Sequence, residues 1–583
     1  MTKIKGYLQE KDHATWFLFI LLFFLLLSKN LIFHKLVFLN SFNLGFWQYL
    51  IAKIAAPLFL SSFVFITRTR WWSAILVILA DLLAIISWIY YRANGLFVSV
   101  KLISVIGNLR GFSSSIISYI DSSLFLFIIP TLLFLIVLYF FPKERERKWI
   151  LYIITLPLSL IAMCANSYLI HSIKASRGLN NTELTFERML PLYLEEERLL
   201  AGECEYHILQ EHSILEYIPL NLVYEYKLEQ YKKLTRNEGL SDEEKCLIDK
   251  LIQEKTGIIS PNSNLVIVLV ESLESWVLEY SGIMPCTINL INRDHTLFAD
   301  KIKSQVRHGV SGDGQMIINT GLLPVQSGVT SVLYGTNVYP NIAQYYPLGF
   351  IVNPSIGTWN QNVVTYSYGY KELIEPMNRN LAWDDADILQ HLWQHISTKD
   401  SLFCSLAITW SSHSPFTNIT TPVPSITADI PDEMKRYLTC LHYTDSCIGV
   451  LIDSLQATGM LSNTTLVITG DHIIFRPDKL ETFHSYAQEH NLSIKNGKNY
   501  VPLIIYSPEI ESSMLITDEC YQMDIYPTLR SILSIENSLW KGFGVNLSDS
   551  VSLRQRTITE EEAYRLSNKL IICNWFANYS FVE

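Results

Sequence analysis

The sequence predicts two parts: a multi-span α-helical membrane domain of five helices, followed by an α/β domain outside the cytoplasm. Three observations predict it. Five apolar runs, each near the ~20 residues that cross a bilayer, fill residues 14–170. The charge is split: residues 1–171 hold 15 Lys and Arg against 6 Asp and Glu, whereas the rest hold 30 against 49. Beyond residue 262, continuous apolar runs alternate with helical stretches, the pattern of an α/β sheet. Only 17% of the 583 residues are charged, and the mean hydropathy is +0.21; about 25% is usual for soluble proteins. That composition excludes a wholly soluble chain and a disordered one. The acidic second part disfavours nucleic acid as a partner.

The expected spans are about 14–33, 47–67, 71–91, 122–141 and 150–170, within a domain covering 1–171. Ser28, Lys29 and Asn30 interrupt the first run. It is read as a span rather than a signal peptide, because four more spans follow and no cleavage site stands out. Orientation follows from Lys and Arg in short loops. Lys3, Lys5, Lys11, Arg68, Arg70, Lys143, Arg145, Arg147 and Lys148 fall on one side, against Lys29, Lys35, Arg92, Lys101 and Arg110 on the other. An N-terminus in the cytoplasm and five spans place residues 172–583 outside. Lys53 and Asp81 fall inside spans two and three. Intramembrane charges are costly and tend to be paired, so an ion pair between these two is expected, ahead of a contact with lipid headgroups. The loop 97–120 is apolar but broken by Gly107, Asn108, Arg110 and Gly111, as in a segment lying in the outer interface.

Residues 172–260 are polar and helix-prone, and read as a helical linker. From 261 to 550 the α/β domain is expected, with 551–583 as a C-terminal extension. Its strands are read at 264–270 (NLVIVLV), 363–368 (VVTYSY), 402–409 (LFCSLAIT), 464–469 (TTLVIT) and 501–507 (VPLIIYS). A helix is expected over 434–458, ending at Gly459. The nine cysteines form no CxxC pair, so neither a zinc knuckle nor a thioredoxin-like motif is indicated, and most read as buried free thiols.

Sites in such sheets form beyond the carboxyl ends of the strands. Glu271 follows the first strand, His413 follows LAITWSS, and Asp471 and His472 follow LVITG. Two carboxylates and an imidazole from different strand ends suit a divalent metal ion. Ser311 lies in RHGVSGDGQMIINTG, flanked by Gly309, Gly312 and Gly314, before a helix-like run. A Ser at a helix N-terminus can meet an anionic group amid free N–H donors, and metal coordination would make it nucleophilic. It also reads as an ordinary N-cap in a Gly-rich turn.

Together these residues resemble the lipoteichoic acid synthase family, within the sulfatase/alkaline phosphatase superfamily. NLVIVLVESLESW matches the family's strand ending in Glu-Ser-Leu, which puts a metal ligand on Glu271. HGVSGDGQMIINTGLLP aligns with a Gly-Gln-Gly-Lys-Thr-Ser-Asp stretch, with Ser311 at the nucleophilic, metal-binding Thr. Gly-Asp-His matches at Asp471 and His472. His413, in ITWSSHSPF, matches a His that contacts substrate phosphate or acts as acid/base; Arg379, in MNR, matches an Arg that binds it. QMDIYPTL (522–529), GFGVNL (542–547) and IGNLRGFSSSI (106–116) resemble further family motifs. The sequence departs elsewhere: the family's His-Gly-Asp reads Tyr368-Gly369-Tyr370, and its Trp-Asn-Arg reads Met377-Asn378-Arg379.

The resemblance implies an extracytoplasmic sulfatase/alkaline-phosphatase-like catalytic domain on a bacterial cytoplasmic membrane. It implies one divalent ion, manganese first and zinc or magnesium as alternatives, on Glu271, Ser311, Asp471 and His472. Ser311 would take a phosphoglycerol or phosphoethanolamine group from a membrane phospholipid, Arg379 would bind the phosphoryl oxygens and His413 would protonate the departing diacylglycerol. A glycan or glycolipid would then accept the group. A phosphodiesterase using water remains the alternative. A sulfatase is less well matched, since Ser311 precedes Gly-Asp-Gly rather than the C/S-x-P-S-R setting. A transporter is disfavoured, because only 171 residues are membranous and no paired repeats occur.

Overall fold

The computed structural model describes residues 11–38, 50–94, 97–102, 117, 119–176, 209, 212–253, 259–280, 282–376, 384–421, 423, 426, 430–475, 499–549 and 556–579. Packing divides the chain into two compact units, with the division at Tyr231/Lys232.

The first unit contains α1 (Lys11–Phe38), α2 (Leu50–Ser62), α3 (Trp71–Asn94), α4 (Phe125–Tyr139) and α5 (Trp149–Ser176). Among the described residues four segments are long and apolar enough to cross a bilayer: His13–Val37, Trp71–Arg92, Ser122–Tyr139 and Trp149–Leu169. The described part of the second expected span is helical. α2 holds 13 residues and ends in a 3₁₀ turn, Phe63–Phe65; residues 47–49 of that run lie outside the described residues. Large apolar side chains such as Ile150, Ile153 and Ile161 stay exposed on α5, a surface suited to lipid rather than water.

α1 continues through Ser28, Lys29 and Asn30 to Phe38, past the expected end of the first span at 33. Its polar groups are satisfied internally: Ser28 Oγ donates to the Leu25 carbonyl at 2.8 Å, and Asn30 Nδ2 to the Lys53 carbonyl at 3.0 Å. Asp81 pairs not with Lys53 but with Lys29, which also donates to Thr131 Oγ1 (2.7 Å) and the Phe127 carbonyl (2.8 Å). Lys53 Nζ instead donates to the backbone carbonyls of Leu209 (3.0 Å) and His212. Sequence spacing could not reveal which helices face each other. The proposed interfacial loop lies mostly outside the described residues. α6 (Ile214–Glu238) runs through the division between the units, and α7 (Asp242–Leu251) opens on a Ser241–Glu244 capping box.

The second unit is built on a nine-stranded sheet: β1 (Asn264–Val270), β2 (Thr296–Lys303), β3 (Leu348–Val352), β4 (Glu372–Ile374), β5 (Phe403–Ile408), β6 (Thr464–Gly470), β7 (Val501–Tyr506), β8 (Met514–Ile516) and β9 (Cys520–Tyr521). The order is β4-β3-β5-β1-β6-β7-β2-β8, with β9 also on β2. The five strands from β4 to β6 run parallel; β7 is antiparallel to both neighbours. Every residue of β1 is buried, and its side chains alternate between two cores. Leu265, Ile267 and Leu269 face a core that includes α8 (Ser311–Thr320), α12 (Ile525–Ile532) and α13 (Glu560–Ile572). Val266, Val268 and Val270 face α10 (Asp385–Ile396) and α11 (Asp432–Ala457). Burial on both faces is why the run is apolar without alternation.

Residues 363–368 are not a strand. Residues 363–367 lie in α9 (Gln361–Ser367) and Tyr368 caps its end; Gln361, Val364, Thr365 and Tyr368 are buried. That is helical spacing, and packing along it overrides the β-propensity of Val, Thr and Tyr. The other four strand expectations coincide with β1, β5, β6 and β7, and the helix expected over 434–458 coincides with α11. The eight described cysteines are free.

Candidate functional site

Because β5, β1 and β6 are parallel neighbours, their carboxyl ends meet on one edge. Val270 pairs with Gly470, so the residues that follow, Glu271 and Asp471, emerge side by side. Thr409 continues β5 next to them: its amide donates to the Leu269 carbonyl at 3.1 Å and its Oγ1 accepts the Glu271 amide at 2.9 Å. Gly470 must be small, since a Cβ there would meet the Leu273 carbonyl at 2.2 Å.

Glu271, Asp471 and His472 are all buried, and their potential ligand atoms lie within 4.8 Å of one another. His472 Nε2 is 3.6 Å from Glu271 Oε1 and 3.4 Å from Asp471 Oδ2, while its Nδ1 meets the Ile473 carbonyl at 2.9 Å. A proton on Nδ1 leaves Nε2 as the ligand atom. Asp471 Oδ1 accepts the amides of Ser272 (2.7 Å) and His472 (2.8 Å); Oδ2 is buried and makes no hydrogen bond. Burial, then the neighbouring Glu271 charge, pushes the Asp471 carboxyl up to about 7. Burial works against the His472 imidazolium, but Asp471 and Glu271 outweigh it and raise its pKa. Two buried carboxylates with an orphaned oxygen between them have at most the single charge of the His472 imidazolium to offset them. A divalent cation offsets both, so the donor set fits a metal ion.

Ser311 is brought to this cluster. It is the first residue of α8, not the residue capping it; Val310 holds that place. Ser311 Oγ donates to Glu271 Oε2 at 3.3 Å. Val310 has φ +43° and Ser272 φ +55°, so strained residues adjoin both Ser311 and Glu271. For a β-branched residue that is costly backbone, of the kind found at functional sites. Gly314 lets α8 approach, since a Cβ there would lie 2.6 Å from the Asp471 carbonyl oxygen. Gln522 joins the same parts: its Nε2 donates to that carbonyl (2.8 Å), and its Oε1 accepts the Gln305 amide (2.7 Å) ahead of Ser311.

His413 stacks on Trp410, with ring centroids 4.5 Å apart, and its Nδ1 meets the Ser414 carbonyl at 2.7 Å. Burial pulls it down to about 4, which holds the imidazole neutral. Arg379, with Met377 and Asn378, lies outside the described residues. Tyr368 and Tyr370 are buried in the core, and Tyr370 OH donates to Asn319 Oδ1 at 2.7 Å. Those two positions therefore serve packing.

Sequence reasoning passed over several supporting residues. Ser272 Oγ donates to Glu271 Oε1 at 2.7 Å, and Ser412 Oγ to the Glu271 carbonyl at 2.6 Å. Glu274, pushed up to about 7 by burial, accepts the amides of Ile474 (2.7 Å) and Phe475 (2.8 Å) just after His472. Asp313, pushed up to about 6 by burial, accepts the amides of Arg307 and Gly309, both at 2.9 Å. Asp385 Oδ1 accepts the amides of Trp410 (2.6 Å) and Ser411 (2.9 Å). The signal available was the repeated acid in VESLES and SGDG; for Asp385 there was none, since it acts across the fold.

The sulfatase family model matches residues 327–535. A lipoteichoic acid synthase-like protein of Bacillus subtilis is 25% identical over 319 residues, 51% of this chain and 51% of that protein. Lipoteichoic acid synthase 2 of the same organism is 20% identical over 320 residues, 51% of this chain and 48% of that protein. The chain thus spans about half the length of the curated relatives it matches. Among solved structures, the integral membrane lipooligosaccharide phosphoethanolamine transferase A of Neisseria meningitidis is similar in fold, with TM-score 0.52 and 13% identity over 89% of this chain and 95% of that one.

Proposed function

We propose that this chain, which is similar to lipoteichoic acid synthase-like proteins and matches the sulfatase family model, is a membrane phosphotransferase of the sulfatase/alkaline phosphatase superfamily with a covalent Ser311 intermediate. The reading has it move a phosphoglycerol or phosphoethanolamine group from a membrane phospholipid to an envelope glycan or glycolipid. The observation that carries it is Ser311 Oγ hydrogen-bonded to Glu271 within reach of the Asp471–His472 pair.

Glu271, Asp471, His472 and Ser311 would hold one divalent ion, manganese by preference. When bound, it lowers the pKa of the Ser311 hydroxyl and neutralises charge on phosphoryl oxygens. Ser311 Oγ then bonds to phosphorus as the bond to the diacylglycerol oxygen breaks, and its proton passes to the cluster or solvent. Arg379 is assigned to the phosphoryl oxygens. His413, a neutral imidazole, is assigned to relay a proton: it accepts one before passing it to the leaving diacylglycerol oxygen, and accepts one from the entering hydroxyl. The acceptor hydroxyl displaces the group, and Ser311 Oγ regains a proton. The catalytic unit is assigned to the extracytoplasmic side of a bacterial membrane, where tethering keeps it beside its lipid donor.

The test is intact mass after incubation with Mn²⁺ and mixed phospholipids, followed by peptide mapping. A glycerophosphate or phosphoethanolamine adduct on Ser311, lost in Ser311→Ala, is the expected result. With metal demonstrably bound, absence of any adduct from every lipid would overturn the covalent route and favour a phosphodiesterase.

A further inference from the structure

The start of α6 is held among the spans rather than in water. Lys53 Nζ, inside α2, donates to the carbonyls of Leu209 and His212. Asn30 Oδ1, inside α1, accepts the amide of Ile214, the first residue of α6, at 3.3 Å. The crossing segment of α1 runs His13–Val37. Its midpoint is near Leu25, so Asn30 lies about 7 Å beyond the midpoint at 1.5 Å per residue, within a hydrocarbon half-thickness of about 15 Å. Leu215 packs on a core that includes Leu22, Leu26, Val77 and Phe134, residues of the interior of α1, α3 and α4. The start of α6 therefore sits at hydrocarbon depth.

Its polar groups are built for that depth. The free N–H groups of a helix start must be satisfied internally where water is absent. Besides the bond from Ile214, the Leu215 amide donates to Ser213 Oγ at 3.1 Å and the Glu216 amide to the Ser213 carbonyl at 3.0 Å. One face of α6, with Tyr217, Leu220, Tyr224 and Leu228, is buried in the core that contains Phe33, Trp88 and Phe127. The flank is tied to the stretch after α3: Tyr217 OH donates to the Val98 carbonyl (2.8 Å), and Lys101 pairs with Glu225 (3.0 Å) and Glu229 (2.8 Å).

The opposite face changes character along its length. Pro219, Leu222 and Tyr226 are exposed, and Gln230, Lys233 and Arg236 continue the exposed face. Leu222 is 53% and Tyr226 66% exposed. From Ile214 the helix rises about 12 Å to Leu222 and about 18 Å to Tyr226. Added to the depth of Asn30, these rises put Leu222 about 19 Å and Tyr226 about 25 Å from the midpoint, so Leu222 stands at the headgroup level and Tyr226 at or beyond its outer edge. The change from apolar to polar along the face is the gradient of a helix leaving a bilayer.

We propose that α6 begins inside the leaflet on the side where α1 ends, and that Leu222 faces its phospholipid at the headgroup level. The start of α6 is then membrane-embedded rather than an aqueous spacer. This goes beyond the proposed reaction and rests on the membrane reading of α1 alone.

The test places the photoreactive residue p-benzoylphenylalanine at position 222 of the full chain, in liposomes of phosphatidylglycerol and phosphatidylethanolamine. Position 153, on the exposed face of α5, is the control for lipid contact, and position 233 the control for water. The expected result is lipid adduct by intact mass at 222 and 153, and its loss at 233. Adduct at 153 alone, or a cross-link from 222 to a second copy of the chain, would overturn the proposal. No adduct at 153 would overturn the membrane reading and the proposal with it. All three sites are exposed, so folding should survive each replacement.

Discussion

Asp471 carries the tension of the site in one side chain. One carboxylate oxygen accepts two amides, and the other is buried without a hydrogen bond beside a second buried acid. Burying charge without compensation costs stability. Asp471→Asn keeps the shape and removes one negative charge. We expect the variant to be more stable than the parent when metal-free, on the order of 1 kcal/mol, and to gain nothing when Mn²⁺ is added. Thermal unfolding with and without Mn²⁺ checks both; a parent that Mn²⁺ does not stabilise would remove the metal from the site. At this scale the sequence was legible for Glu271, Ser311, Asp471 and His472, because each follows a strand or opens a helix within a few residues of a recognisable run. Ser272, Glu274 and Asp385 were not, since their roles depend on partners up to about two hundred positions away in the chain.

At the scale of elements, α7 and α13 are joined through one acid. Glu244, at the third position of α7, accepts Lys569 Nζ at 2.8 Å and pairs with Arg565, both on α13. Burial alone would raise its pKa, but Lys569 and the Ser241 amide hold it below the ordinary carboxylate value. A depressed pKa in the folded state means stability that is present above the unfolded carboxylate pKa and lost as pH falls through the folded value. Glu244→Gln should therefore cost about 2 kcal/mol at neutral pH, with the difference from the parent shrinking below about pH 4. Denaturant unfolding at both pH values measures this, and a difference independent of pH would sink the assignment. The join bears on the site, because α13 also reaches the loop before Ser311. Tyr564 OH donates to the Gln305 carbonyl at 2.6 Å, and the Arg307 guanidinium lies 4.1 Å from the Tyr564 ring. α9 marks the limit of local reading: six residues with strand propensity became a helix and its cap because Val364 and Tyr368 had a core to face.

For the whole molecule, the proposed orientation puts the second unit outside the cytoplasm. Cys246 is exposed on α7, so a membrane-impermeant maleimide should label it in intact cells, and Cys246→Ser should lose that label. Labelling only after permeabilisation would reverse the orientation. Read alone, the residues carried the membrane character, the apolar core strands of the α/β sheet and the acids and imidazole at their ends. Hydrophobic run length and strand-to-site distance are local quantities, written within a dozen residues. The packed fold was needed to show that Lys29 rather than Lys53 meets Asp81, that α6 starts among the spans, and that Tyr368 and Tyr370 belong to the core. Those are matters of which surfaces meet. The low dielectric of a buried contact decides them by what it leaves unpaired, and no spacing along one chain records it.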